Sequence, residues 1–382
     1  MIEDPRQPRV RLTICAIVLG VSIVMPVSRS IVATSSSTLP VVKLSPAAMM
    51  RFVGDVDSNS PALWDLVDGQ RLLHVLTSTA GQTSIASGRI LARLGVAAAV
   101  GFVTHPGHGV WMEAIVADDA GTWYGYYHNE IPATLCNRSD RTLPRIGAAR
   151  SRDRGQTWED LGIILEAPAG WESCSTRNSY FVGGVGDLSV MLDADATDLY
   201  LFFSQYSRPR QAQGVAVARL LWGDRDRPRG GVSVWADGIW QPTIAQPSDP
   251  DDAQSEVRFV YPAGSPLVSV ARPWHDADSS NDAYWGPSVH WNGHLEQYVM
   301  LLNRAKDDHF SQDGIYISFA PSLDDPAAWS SPQRILAGGS WYPQVIGLEP
   351  GFGTDKAAGR FARLFVGGIS QLFIEFQRPS DR

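Results

Sequence analysis

The sequence predicts an all-β fold, a five-bladed β-propeller of four-stranded antiparallel sheets, and three observations predict it. Beyond about residue 50 the 382-residue chain shows almost no helical periodicity; short runs of Val, Ile, Leu, Tyr and Phe are separated by Gly, Pro, Asp and Asn, the punctuation of a many-stranded antiparallel protein. One strand-turn-strand phrase returns along the chain, and most copies are continued by a second strand pair. Repeated sheets of this kind close around an axis. A two-sheet sandwich is the alternative, but it does not call for the same phrase in every module.

The copies run in order. "SPALWDLVDGQRLLHVLTST" (60–79), "WMEAIVADDAGTWYGYYHNE" (111–130), "GDLSVMLDADATDLYLFFSQ" (186–205) and "WGPSVHWNGHLEQYVMLLNR" (285–304) each give a strand, a turn of Asp, Gly or Asn, and a strand rich in aromatic and aliphatic residues. A fifth, 342–368, has a longer turn. The continuing pair is clearest at 146–165 and 315–336, where an alternating strand, an Asp turn, a Trp and a second strand ending in Ile-Leu align; 214–235 is a weaker relative.

Within the first of these pairs lies "SRDRGQTW" (151–158), a polar turn closed by an aromatic residue. Asp153 is suited to bonding the amides of its own turn, Gly155 to a positive φ, and Trp158 to folding back over the blade edge. The stretch reads as a structural staple. It resembles the Asp-box of sialidases and related propellers, S-x-D-x-G-x-T-W, through Ser151, Asp153, Gly155, Thr157 and Trp158; the resemblance implies a propeller and no particular chemistry.

The formal charge of -8, from 32 basic and 40 acidic residues, argues against a nucleic-acid partner, because phosphate binding needs clustered cations. An acidic chain rich in Trp and Tyr suits an uncharged polyhydroxy ligand, whose apolar ring faces pack on aromatic ones. Arg6, Arg9 and Arg11 precede the uncharged run 12–27 and then small polar residues, the order of a secretory signal. Residues 1–35 are therefore expected to be a signal peptide or an uncleaved anchor, and 36–382 one propeller, secreted or periplasmic, monomeric, and touching a membrane only through such an anchor. Cys136 and Cys174 lie in loop-like sequence and are free to pair in an oxidising compartment.

In a propeller the innermost strand of every blade starts near the axis, so residues far apart in sequence converge on one funnel. Those starts supply Asp57 and Asn59 from blade one, Trp111 and Glu113 from blade two, Asp187 from blade three, Trp285 and His290 from blade four, and Tyr342 and Gln344 from blade five. Second-strand ends add His128, Glu130 and Arg304, and Arg145 stands nearby. Two carboxyl groups facing one pocket are the minimum equipment for cutting a glycosidic bond: one protonates the leaving oxygen while the other activates water or attacks the anomeric carbon. Neighbouring charge and burial must split their pKa values. Asp57, Glu113 and Asp187 are the expected catalytic set; Asn59, Trp111, His128, Glu130, Arg145, Trp285, His290, Arg304, Tyr342 and Gln344 are the expected sugar-binding residues. Each acid also has a plain structural reading, as a turn cap, an ion-pair partner or a loop anchor.

This arrangement resembles the five-bladed furanosidase superfamily of arabinanases and β-xylosidases. The resemblance implies that Asp57 is the general base and that Asp187, in "GDLSVMLDADATDLYLFF", tunes pKa values and orients substrate. Where that superfamily has a blade-four Glu-Gly-Pro carrying the acid, this chain has Trp285-Gly286-Pro287. The acid must come from elsewhere, with Glu113 first and Glu130, His128 and His290 behind it. "WYGYYHNE", "RIGAARSRD" and "YWGPSVHWN" also resemble uncharacterised secreted bacterial propeller proteins. An exo-sialidase, which by resemblance would need three arginines, a Tyr nucleophile and six blades, and a non-catalytic carbohydrate-binding propeller are the alternatives.

No cofactor is called for. "THPGHG" lacks a third metal ligand, "GGVG" lacks the rest of a dinucleotide motif, and no G-x-S-x-G elbow is present. The acidic stretches 247–256 and 276–282 read as solvated loops, with structural calcium the lesser alternative.

Overall fold

The computed structural model describes residues 39–249, 255–270, 272, 274–275 and 282–381. The expected signal or anchor segment lies outside the described residues, as do 250–254 and 276–281 of the two acidic loops. Among the described residues no helix is long and apolar enough to cross a membrane.

Five sheets form the blades. Blade one is built from Ala62–Val67, Gln70–Thr79, Gln82–Gly88 and Ala98–Ala99. Blade two comprises Gly109–Ala117, Trp123–Ala133, Arg138–Ser151 and Thr157–Leu165, with Gly101–Thr104 added in parallel on its outer edge. Val185–Leu192, Asp198–Gln205, Gly214–Leu221, Ser233–Ala236 and Ile239–Pro242 make blade three. Blade four contains Tyr284–Asn292, Gln297–Ala305, Gln312–Ala320 and Gln333–Ala337, and the short Ala357–Ala358 pairs in parallel with its first strand. Blade five consists of Pro343–Gly347, Phe361–Val366 and Ile369–Gln377, completed by Val41–Arg51 from the other end of the described chain. Pairing of Val41 with Gln377 thus closes the ring and covers an edge that would otherwise expose unpaired amides. The expectation of four strands per blade holds for blades one and five; the other three carry a fifth.

Apolar residues on alternate positions of each strand point to the two neighbouring blades, so the core is divided. Buried clusters fill all five interfaces: Leu76 and Met112 between blades one and two, Tyr126 and Leu188 between two and three, Phe202 and Val289 between three and four, Val299 and Val345 between four and five, and Phe365 and Val75 between five and one. A sixth cluster, aromatic, includes Tyr206, Trp285, Phe310 and Tyr342 and sits where the inner strands begin.

The turn at 151–158 joins the third and fourth strands of blade two. Asp153 Oδ1 accepts from the Thr157 amide (2.9 Å) and its Oδ2 from the Thr157 hydroxyl (2.6 Å), while the Gly155 amide donates to Ser151 Oγ (2.8 Å). Trp158 is fully buried and its indole N–H donates to the Gly155 carbonyl at 3.0 Å. Gly155 has φ +79°, and a Cβ there would stand 2.9 Å from the Trp123 ring, so both conformation and space require glycine. Cys136 and Cys174 form a disulfide that ties blade two to the loop leading into blade three.

Candidate functional site

The axis is first of all a set of cross-links. Asn59 Nδ2 donates to the carbonyls of Leu188 (2.9 Å) and Pro287 (2.8 Å), joining blades one, three and four. Gln344 and Ser60 exchange two hydrogen bonds, at 2.7 and 2.8 Å, between blades five and one. Asn59 and Gln344, expected to bind substrate, use their amide groups to hold blades together; both are buried.

Above these links lies a partly open cavity of about 60 Å³. Asp57, Glu130 and Asp187 supply its carboxyl groups, and Tyr180, Phe181, Trp285, Phe310, Trp341 and Tyr342 its walls. Several rings meet edge to face: Trp285 lies at 79° to Trp341 and 83° to Tyr342, and Tyr180 at 89° to Phe310.

Irregularities in the inner strands aim these residues. Register shifts fall between Met112 and Ala114, between Gly186 and Leu188, and between Trp285 and Ser288, so Glu113 and Asp187 each sit at a bulge and break the strict alternation of their strands. Asp187, Phe310 and Tyr342 adopt left-handed φ values of 43°, 58° and 56°. For non-glycine residues such conformations cost free energy and persist where surrounding structure over-determines them. Asp187 shows what over-determines it: Oδ1 accepts from the Tyr342 hydroxyl (3.2 Å), Oδ2 from that of Tyr206, and its amide donates to His128 Nδ1 (3.0 Å). Gly186 is the neighbour this requires, because a Cβ there would lie 2.3 Å from the same imidazole nitrogen.

His128 is the hub. Its Nε2 meets Glu130 Oε1 at 3.2 Å, and its Nδ1 is 3.8 Å from Asp187 Oδ1 and 3.9 Å from Glu113 Oε1. Burial by itself lowers its pKa, but the hydrogen bond to Glu130 and the charges of Asp187, Glu130 and Glu113 outweigh burial and bring it to about 9. In the present geometry the Asp187 amide occupies Nδ1, which places the single certain proton on Nε2, facing Glu130; a second proton would require Nδ1 to exchange that amide for a carboxylate oxygen. The edge of Trp111 packs on the ring, 5.5 Å between centroids.

The acids are driven apart. Burial raises Asp57 from 3.8 to about 6, helped by the charges of Asp187 and Glu130 and opposed by His128 and a hydrogen bond with Trp111. Glu130 moves the other way: burial would raise it, yet the bonds from His128 and from the Thr142 hydroxyl (2.9 Å) hold it below its usual range. Burial raises Asp187, against the pull of His128, Tyr206 and Tyr342. Glu113, fully buried and absent from the cavity lining, is pushed well up by burial and by Asp187 while its Oε2 accepts the Leu188 amide at 2.6 Å.

Three expected binding residues are corrected by their placement. Arg145 bonds Asn129 (2.8 Å) and pairs with Glu166 (3.3 Å). Arg304 is engaged by Asp282, Asp313 and Tyr316 beside blade four. His290 is sealed in the interior against Phe376, and burial together with Lys356 brings it down to about 3. None of the three lines the cavity. Tyr180, Phe181, Tyr206, Phe310 and Trp341 were not among the expected residues; the aromatic doublets Tyr180-Phe181 and Trp341-Tyr342 in polar loop sequence were the available signal.

Donor atoms of Glu113, His128 and Asp187 lie within 4.8 Å of one another, a spacing that suits a cation. Leu188, the Asp187 amide, Tyr206 and Tyr342 already occupy most of their lone pairs, so an ion there would have to displace protein hydrogen bonds.

No protein-family model and no curated protein matches the chain. Solved structures with a similar course include an endo-arabinase from Bacteroides thetaiotaomicron (9% identity, 86% of this chain and 97% of that one, TM-score 0.48). Others are an exo-β-1,3-galactanase from Phanerochaete chrysosporium (14%, 88% and 63%, 0.45) and an α-L-arabinanase from Penicillium chrysogenum (12%, 90% and 98%, 0.44). The blade count rests on the strand pairing, and no residue role passes from these proteins to this chain.

Proposed function

We propose that the chain is a glycoside hydrolase in which Asp57, expected as the general base, is instead the proton donor to the leaving oxygen in place of Glu113, and Glu130 is the carboxylate that activates water or attacks the anomeric carbon. One observation carries this reading: one cavity holds two carboxyl groups whose surroundings shift them in opposite directions, Asp57 up to about 6 and Glu130 down. Such a split leaves one acid protonated and the other ionised over the same pH range, as hydrolysis requires. His128 orients Glu130, and Asp187, fixed by two tyrosines, adds its charge to the burial that raises Asp57. Glu113 serves as a buried anchor for the Leu188 amide. A sugar ring is larger than the cavity, so part of it would project past the exposed rim at Tyr180. Arabinosides and xylosides are the first substrates to try, because the inner-strand pattern resembles that of furanosidases acting on them. An extracellular or periplasmic location agrees with the Cys136–Cys174 disulfide.

An anionic sugar of the sialic-acid kind is disfavoured: among the described residues no arginine lines the cavity, and the blades number five. The non-catalytic sugar-binding propeller has one observation in its favour, Trp285 standing where the resembled superfamily has its acid. Release of reducing ends from a glycan panel separates the two. Hydrolysis by the native chain, with rates at least ~100-fold lower in Asp57→Asn and in Glu130→Gln, supports the proposal; sugar binding without release, or undiminished rates in both variants, refutes it.

A further inference from the structure

We propose that a cleft between blades five and one binds an aliphatic monocarboxylate, whose carboxylate meets the guanidinium of Arg363. The site goes beyond the hydrolase reading, since its lining shares no residue with the cavity of Asp57 and Glu130. The strand that closes the ring breaks register between Pro46 and Met50, and beside that bulge the seam of the two blades opens into a space of about 370 Å³. Small-ligand sites span ~300–1,000 Å³ and are walled mainly by apolar side chains. Met50, Trp64, Leu73, Leu348 and Phe373 are among the walls here, and Ile90 is an exposed member of the lining. Such walls favour an apolar body on the ligand.

Arg363 selects the head group. It lies in the strand Phe361–Val366, is 4% exposed and lines the cleft. The ring of its cross-strand partner Phe373 covers one face of the guanidinium, 5.0 Å from the centroid, and Nη2 donates to the carbonyls of Ala48 and Ser370. Among the described residues Nη1 meets no acceptor and no carboxylate pairs with the group, so burial pulls its pKa down with no acid opposing. Glu349, the one acid in the lining, turns Oε1 toward Gly359, which stands outside it: a Cβ on Gly359 would be 2.1 Å from that oxygen. A buried cation without a counter-ion is costly, and a ligand carboxylate supplies both the missing charge and charge-assisted hydrogen bonds. An alcohol leaves the charge unmatched, and an ammonium adds a second cation.

The test is calorimetric titration of the whole chain at pH 7.5 and fixed ionic strength with sodium octanoate, sodium hexanoate, octan-1-ol and octylammonium chloride. Saturable octanoate binding, at least ~10-fold tighter than octan-1-ol, is the expected result, with hexanoate about 10-fold weaker than octanoate for two fewer buried methylenes and no saturable heat from octylammonium. The Trp64 indole N–H, which donates to the Gly353 carbonyl at 2.9 Å in the wall, should shift its NMR signal as octanoate is added. Ile90→Glu should weaken octanoate at least about five-fold more than Ile90→Lys does, and these exposed substitutions leave the core intact. Arg363→Gln should abolish the preference for octanoate over octan-1-ol. Octan-1-ol bound as tightly as octanoate, equal affinities in the two Ile90 variants, or a folded Arg363→Gln chain with native octanoate affinity overturns the inference. So does the absence of saturable octanoate heat, as when a second copy or residues 1–38 of the chain fill the cleft. Glycoside turnover bears on none of these outcomes.

Discussion

Replacing Asp57 by Asn should make the protein more stable at neutral pH and flatten its pH dependence. The folded carboxyl titrates near 6 and the unfolded one near 3.8. Between those values the folded state binds the extra proton, so stability falls as pH rises through that window, and the loss is complete above 6. A full proton of difference corresponds to at most about 1.4 kcal/mol per pH unit. Because the group is partly exposed, water screens some of this, leaving about 1–2 kcal/mol across the window. Asn keeps the amide bond to the Ser78 carbonyl and a side chain of the same shape for Trp111. Asp187, Glu130 and His128 face Asp57 and titrate as well, so the informative quantity is the native-minus-variant difference in urea unfolding free energy, measured from pH 4 to 8. A difference that stays constant over that range would show that Asp57 carries no raised pKa and would remove it as the proton donor.

Removing the disulfide in a Cys136→Ser, Cys174→Ser double variant should cost up to about 4 kcal/mol in urea unfolding, from the chain entropy regained by a loop spanning 38 residues; an unchanged free energy would mean that the bond restrains nothing. Trp158→Ala, at a fully buried position, should cost about 3–5 kcal/mol by the same assay, and a loss below 1 would contradict the staple. Gly186→Ala should drive its methyl into His128 and move the imidazole NMR signals, with its titration midpoint displaced from about 9; unperturbed signals would show that the close approach is relieved elsewhere.

The propeller was legible because each blade repeats one apolar-turn-apolar phrase and the alternation of apolar residues survives along most strands. Its closure was not: Val41–Arg51 has no turn partner beside it and pairs with Ile369–Gln377 at the opposite end of the chain. Asp57 and Asp187 could be found from their places at the inner-strand starts. Arg145, Arg304 and His290 could not be placed correctly, since a one-residue change of register sends a strand side chain to the other face. Bulges at Glu113 and Asp187 interrupt the counting in the very segments that matter. Tyr180, Phe181 and Trp341 come from connections between blades and Phe310 from the turn between Gln297–Ala305 and Gln312–Ala320 within blade four, where no periodicity announces which way a ring points. Glu130 was visible as a candidate, but its low pKa depends on His128 and Thr142, and Thr142 approaches only through pairing with the neighbouring strand.

The pH dependence of kcat/KM on the first glycoside found to be cleaved bears most directly on opposed carboxyl groups in one cavity. A bell is expected, with its alkaline limb near pH 6 from Asp57 and its acidic limb below the usual Glu range from Glu130, and with the alkaline limb lost in Asp57→Asn. A flat profile between pH 5 and 8, or the same alkaline limb in Asp57→Asn, would contradict the account.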